Sequence, residues 1–113
     1  MPIEEVVAKI VADQPDVVPA PHVETSSGMI VSDDYLKAIY YTVHQDGGLF
    51  MLDCIASGCA WANTRKSGVD FLISAPQKGL SDSPSFGMVM MPQAGLAAVK
   101  AKLSNSYSVD LGK

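Results

Sequence analysis

Ile3, Val6, Val7, Ile10 and Val11 recur at helical spacing, with Glu4, Glu5, Lys9 and Asp13 off that stripe. The pattern predicts an amphipathic helix that ends before Pro15, because the residue ahead of a proline is pushed out of helical geometry. Asp16 to Ala20 is a short apolar segment and predicts a strand. Pro19 puts that strand at a sheet edge or close to its own end, since proline cannot donate to a ladder. Residues 21–31 hold Pro21, Ser26, Ser27 and Gly28 and read as a loop. Ser32 or Asp33 can then cap a second helix with Leu36, Ile39, Tyr40 and Val43 as its buried stripe, ended by Gly47-Gly48. Leu49-Phe50-Met51-Leu52 is an unbroken apolar run closed by Asp53, which suits a strand buried on both faces. Residues 54–68 read as a crossover with a short helix around Trp61. Val69 to Ser74 and Phe86 to Met91 are two further strands. Pro92 suits the first turn of a last helix, in which Leu96, Val99 and Leu103 share a face.

Helices and strands alternating in this order predict an α/β fold with a mostly parallel sheet and flanking helices. A length of 113 residues fits one domain near the low end of the common range. Its 48% apolar and 18% charged residues describe a chain that buries much of its surface and is not disordered. The net charge of −4 is spread without a basic face, which argues against a nucleic-acid partner. Every apolar run falls far short of the ~20 residues a membrane helix needs. Met1-Pro2-Ile3-Glu4-Glu5 carries acids where a secretory leader carries bases, so a cytoplasmic location is expected. Cys54 and Cys59 lack the second ligand pair of a zinc site, and two reduced, mostly buried thiols with no metal are expected instead.

Ligands of open α/β sheets bind beyond the carboxyl ends of the strands. Three polar groups fall there: the loop from His22 to Gly28, Asp53, and the turn Ser74-Ala75-Pro76-Gln77-Lys78. Neighbouring strands lie ~5 Å apart, so Asp53 and Lys78 can face one pocket with room for a flat ring. Each residue taken singly is uninformative. A lysine after a strand is usually solvated, and an aspartate at a strand end usually forms a turn. His22 reads as a loop-orienting residue, His44 as a surface helix residue, and Met88, Met90 and Met91 as core filler. Pyridoxal phosphate has needs that match the set. Its ring nitrogen must stay protonated beside a carboxylate, its aldehyde needs a lysine, and its phosphate needs donors.

Three motifs make the match specific. His22-Val23-Glu24-Thr25-Ser26-Ser27-Gly28 is similar to the His-x-Glu-Ser/Thr-Ser-x-Gly loop of the alanine–glyoxylate and serine–pyruvate aminotransferases. Gly48 to Ser57 resembles that family's apolar strand ending in Asp, followed by a Val/Ile-Ala/Ser-Ser turn. Gly68 to Lys78 resembles its Gly-Val/Ile-Asp-…-Ser-x-x-Gln-Lys segment. By this resemblance to the class V pyridoxal-phosphate aminotransferases, the chain corresponds to a central part of the large, cofactor-binding domain of fold-type I enzymes.

The resemblance implies pyridoxal 5'-phosphate as cofactor and Lys78 as the Schiff-base lysine that also shuttles the proton. It implies that Asp53 pairs with the pyridinium nitrogen, Thr25 bonds the phenolic oxygen, Ile55 packs on the ring face and Gln77 reaches the phosphate. Gln77 stands where the related cysteine desulfurases carry His, which favours transamination of a small amino acid with a small 2-oxo acid such as glyoxylate or pyruvate. Family members continue on both sides of this region, with a phosphate cup before it and a carboxylate-binding arginine after it. The isolated chain is therefore expected to lack useful turnover. It is also expected to form a homodimer or larger assembly through an exposed Leu49–Leu52 run. Pro76 departs from the small residues usual before Gln-Lys and bears on how Gln77 points. The other reading open at this point is a non-catalytic α/β module that only associates with itself or a partner.

Overall fold

Helix α1, Ile3–Asp13, is ended by Gln14 in the left-handed region at φ 44°. This is seen in a computed structural model of the protein, which describes residues 1–102 and 104–112. Ser32 caps helix α2, Asp33–Gln45, by accepting the Tyr35 N–H. The buried side of α2 is Leu36, Ile39, Thr42 and Val43. Tyr40, expected within that stripe, is only partly buried against the core.

Four strands make the main sheet: β1 (Val17–Pro21), β4 (Leu49–Asp53), β5 (Phe71–Ser74) and β6 (Met88–Met90), in the order β1-β4-β5-β6. The first three are parallel and β6 is antiparallel to β5. Strand β1 lies at the edge, as Pro19 requires. Successive residues of a strand turn their backbone groups to opposite sides, and His22 N–H donates to the Asp53 carbonyl at 2.8 Å. Val18 and Ala20 therefore face β4 as well. Pro19 and Pro21 face outward, where a missing N–H leaves no ladder bond unmade.

The core lies on one face of this sheet. Ile10 of α1 and Leu36, Ile39 and Val43 of α2 pack on Phe50, Leu52 and Leu72. Phe50 and Leu52 are completely buried, worth ~1.5–3 kcal/mol each. Leu49 and Met51 point to the other face and are half-buried, in a cavity that Val17, Phe71 and Val99 also line. The run is therefore neither buried on both faces nor exposed. The α1–α2 layer covers half of it.

Several local expectations are corrected. Residues 21–31 contain a small antiparallel ladder, β2 (Val23–Glu24) with β3 (Met29–Ile30), too short for side-chain alternation to announce it. The crossover helix α3 is Thr64–Ser67, not at Trp61; the Asn63 side chain accepts the Arg65 and Lys66 N–H groups and fixes its start. Trp61 is 79% exposed. Phe86 is exposed outside β6. Helix α4 is Gln93–Lys100, with Leu96 and Val99 half-buried, and Leu103 lies outside the described residues. Cys54 is buried but Cys59 is exposed, and both are free. Among the described residues no helix is long and apolar enough to cross a membrane.

His44 also departs from a plain surface role. Its Nε2 lies 2.7 Å from Oδ2 of Asp70, which is almost fully buried and also accepts the Phe50 N–H at 2.8 Å. A carboxylate taken out of water needs such partners. This one ties the end of α2 to the sheet, just before β5 begins.

Candidate functional site

Strand register brings the candidate groups to one end of the sheet. Pro21 pairs with Asp53, and Asp53 pairs with Ile73, so β1, β4 and β5 finish side by side. Thr25 lies four residues beyond the end of β1, and Lys78 lies four beyond Ser74. Between them is a cavity of about 480 Å³ lined by Thr25, Asp53, Ile55 and Lys78, with Glu24 and the Gly58–Gly79 contact completing its wall. Four of the five residues singled out from the sequence thus share one concave space.

Gln77 does not join them. It lines an adjoining cavity with Ser74, Ser85 and Phe86, and Ile55 borders both spaces. Pro76 is buried, and its carbonyl accepts the Asp82 N–H at 3.0 Å while Lys78 N–H donates to the Ala75 carbonyl. That anchored turn sends consecutive residues to different sides.

Electrostatics follow from the local bonds. Asp53 Oδ1 accepts the Ile55 N–H at 2.8 Å within its own turn. Oδ2 has no protein donor among the described residues and remains accessible to the cavity. The Lys78 ammonium likewise has no hydrogen bond or ion pair among them. Glu24 faces the same space, but its carboxylate accepts the Ser26 N–H at 3.0 Å and the Ser26 hydroxyl at 2.8 Å. Those two bonds hold it below the usual carboxylate range. Beside Asp53, burial pushes the Cys54 thiol up, the Ser57 hydroxyl partly offsets this, and the Asp53 charge adds to it.

Sequence reasoning missed the walls of the site. Gly79 packs so closely on the turn at Gly58 that an added Cβ would stand 2.2 Å from the Gly58 Cα. Neither glycine has a motif that announces this approach. Gly79→Ala should lower stability by ~1–3 kcal/mol through overpacking, read from urea midpoints. An unchanged midpoint would show that the two turns are free to part.

No protein-family model matches the chain. It is 30% identical over 91 residues to the 2-aminoethylphosphonate–pyruvate transaminase of Phocaeicola vulgatus, covering 80% of this chain and 24% of that protein. Its structure is similar to the ureidoglycine–glyoxylate aminotransferase of Bacillus subtilis, with a TM-score of 0.75, 25% identity, and coverage of 90% of this chain and 26% of that one. The alanine–glyoxylate aminotransferase of Nostoc sp. superposes with a TM-score of 0.78 at 24% identity, covering 92% and 27%. The chain is similar to a segment of class V aminotransferases over most of its own length. It spans about a quarter of the length of these relatives.

Class V aminotransferases are pyridoxal-phosphate enzymes, and the donor set of the cavity fits that cofactor. An accessible carboxylate oxygen, a lysine amine with no partner among the described residues, a threonine hydroxyl and an isoleucine face surround one space. The wall that carries Gln77 borders the next space, so a phosphate donor from Gln77 needs a group that reaches past Ile55.

Proposed function

We propose that the protein carrying this segment is a pyridoxal-phosphate-dependent aminotransferase. It moves an amino group between a small amino acid and a small 2-oxo acid such as glyoxylate or pyruvate. The observation that supports this reading best is the shared cavity of Asp53 and Lys78 at the carboxyl ends of parallel strands. The names of the relatives add weight, since each pairs an amino donor with pyruvate or glyoxylate.

When bound, the cofactor supplies an aldehyde for an amine and a ring that draws off electrons once its nitrogen is protonated. Lys78 Nζ would be the amine that holds the cofactor's aldehyde, and it would serve as the base toward the proton on the substrate's Cα. Asp53 Oδ2 would hold a proton on the ring nitrogen, while Oδ1 stays on the Ile55 N–H and fixes the carboxylate's direction. The Thr25 hydroxyl would donate to the ring's phenolic oxygen, and Ile55 would give the ring an apolar face and keep water from it.

The test is isotopic. In the complete natural protein, labelled nitrogen supplied as alanine should appear in glycine when glyoxylate is present, and only with pyridoxal phosphate added. Nitrogen that stays on alanine with the cofactor bound would favour the non-catalytic module.

A further inference from the structure

His22 is held in place on three sides. Its N–H donates to the Asp53 carbonyl at 2.8 Å, its carbonyl accepts the Val31 N–H at 2.9 Å, and its Nδ1 lies 2.8 Å from the Ser57 Oγ. Both side chains of that last bond are buried, His22 at 5% and Ser57 at 9% exposure. Ser57 in turn closes the Asp53–Ser57 turn, donating its own N–H to the Cys54 carbonyl at 3.2 Å. The bond therefore joins the loop that supplies Thr25 to the turn that supplies Asp53 and Ile55, across 35 residues of sequence.

We propose that His22 and Ser57 are positioning residues for the Asp53 carboxylate. Asp53 Oδ1 is aimed by one donor, the Ile55 N–H in the middle of the turn. The amino end of that turn is fixed by the β4 ladder. Its far end is fixed by Ser57 on His22. With both ends held, Ile55 N–H stays on Oδ1, and Oδ2 stays turned to the cavity. The role toward a ring nitrogen rests on the aminotransferase reading; the control of the carboxylate's direction does not.

A pair that merely glued two loops together would weaken the whole fold when cut and would leave the Asp53–Ile55 bond no worse off than its neighbours. The experiment compares the full natural chain with Ser57→Ala, His22→Leu and His22→Asn, the last of which keeps a polar atom near the place of Nδ1. Amide hydrogen exchange is read at Ile55 and, as internal reference, at Phe50 and Leu52 of the same strand region. Ser57→Ala and His22→Leu should speed exchange at Ile55 by about tenfold relative to Phe50 and Leu52, matching the net loss of one hydrogen bond. His22→Asn should move the Ile55 readout back toward the natural chain. Equal acceleration at all three amides, or an unchanged Ile55, overturns the proposal. Ser57→Ala removes a single oxygen and keeps the comparison available if His22→Leu does not fold. Titrating the natural chain with pyridoxal phosphate separates the two ideas. No binding there would remove the cofactor reading, whereas positioning stands or falls on the Ile55 amide.

Discussion

Reduction with borohydride after mixing the chain with pyridoxal phosphate should label Lys78 ahead of Lys9, Lys37, Lys66, Lys100, Lys102 and Lys113. Any accessible amine reacts with an aldehyde, so selectivity has to come from what holds the rest of the molecule nearby. Lys78 shares its cavity with Asp53, Thr25 and Ile55, and groups held in position can raise an effective concentration by many orders of magnitude. Lys9 is instead bonded to Asp13 at 2.6 Å, and Lys37 lies 3.7 Å from Asp34, both on exposed helix surface. An excess of about tenfold at Lys78 would already require a built site. Lys78→Arg should abolish the dominant label, because a guanidinium keeps the charge but stays protonated and does not attack an aldehyde. Even modification of all seven lysines would reduce Lys78 to a solvated turn residue.

The sequence carried more of the fold than of the site's walls, for physical reasons. Ile3 to Val11 and Leu36 to Val43 show their helices because one side of each turns toward the shared core, and the apolar period records that side. Leu49–Leu52 announced a strand, but a run of unbroken apolar residues does not say how its two faces are covered. Here α1 and α2 bury Phe50 and Leu52, while Leu49 and Met51 stay half-open. The β2–β3 ladder escaped because two-residue strands have no period. The start of α3 depends on Asn63, a single cap that competes with an apolar neighbour, Trp61, for attention. In the site, order and spacing placed Asp53 and Lys78 together, because parallel neighbouring strands end at the same level, while Thr25 and Ile55 came from the family resemblance. Gln77 was read from its motif alone, and the anchored Pro76 turn decides its direction instead. The contacts Gly58–Gly79, His44–Asp70 and His22–Ser57 join residues far apart in sequence. No local pattern encodes them.

Asp53→Asn should reduce amino transfer by ~10²-fold or more in the complete natural protein, with the fold and the bond to Lys78 preserved. The substitution is nearly isosteric, and an amide oxygen can still accept the Ile55 N–H that Oδ1 accepts at 2.8 Å. The turn should therefore survive, and with it the placement of Ile55. The change falls on the other atom. Oδ2 is an accessible anionic oxygen, and an opposite charge at ~4–6 Å commonly shifts a pKa by 1–3 units. An amide nitrogen in its place donates a hydrogen bond, so it disfavours a proton on the ring nitrogen opposite. Each unit of lost shift corresponds to ~1.4 kcal/mol, about tenfold in the protonated fraction. On the proposed reading, the electrons left when Lys78 takes the substrate proton would have a weaker sink, and that step would slow. Two measurements check this together: the rate of nitrogen transfer from alanine to glyoxylate, and the pH at which the bound cofactor's ring nitrogen takes up its proton, read by nitrogen NMR, which should fall in the Asn variant. An aspartate that only ends β4 would be replaced by asparagine almost without loss, since both form such turns readily. Near-normal transfer with the cofactor still bound would give Asp53 that lesser role.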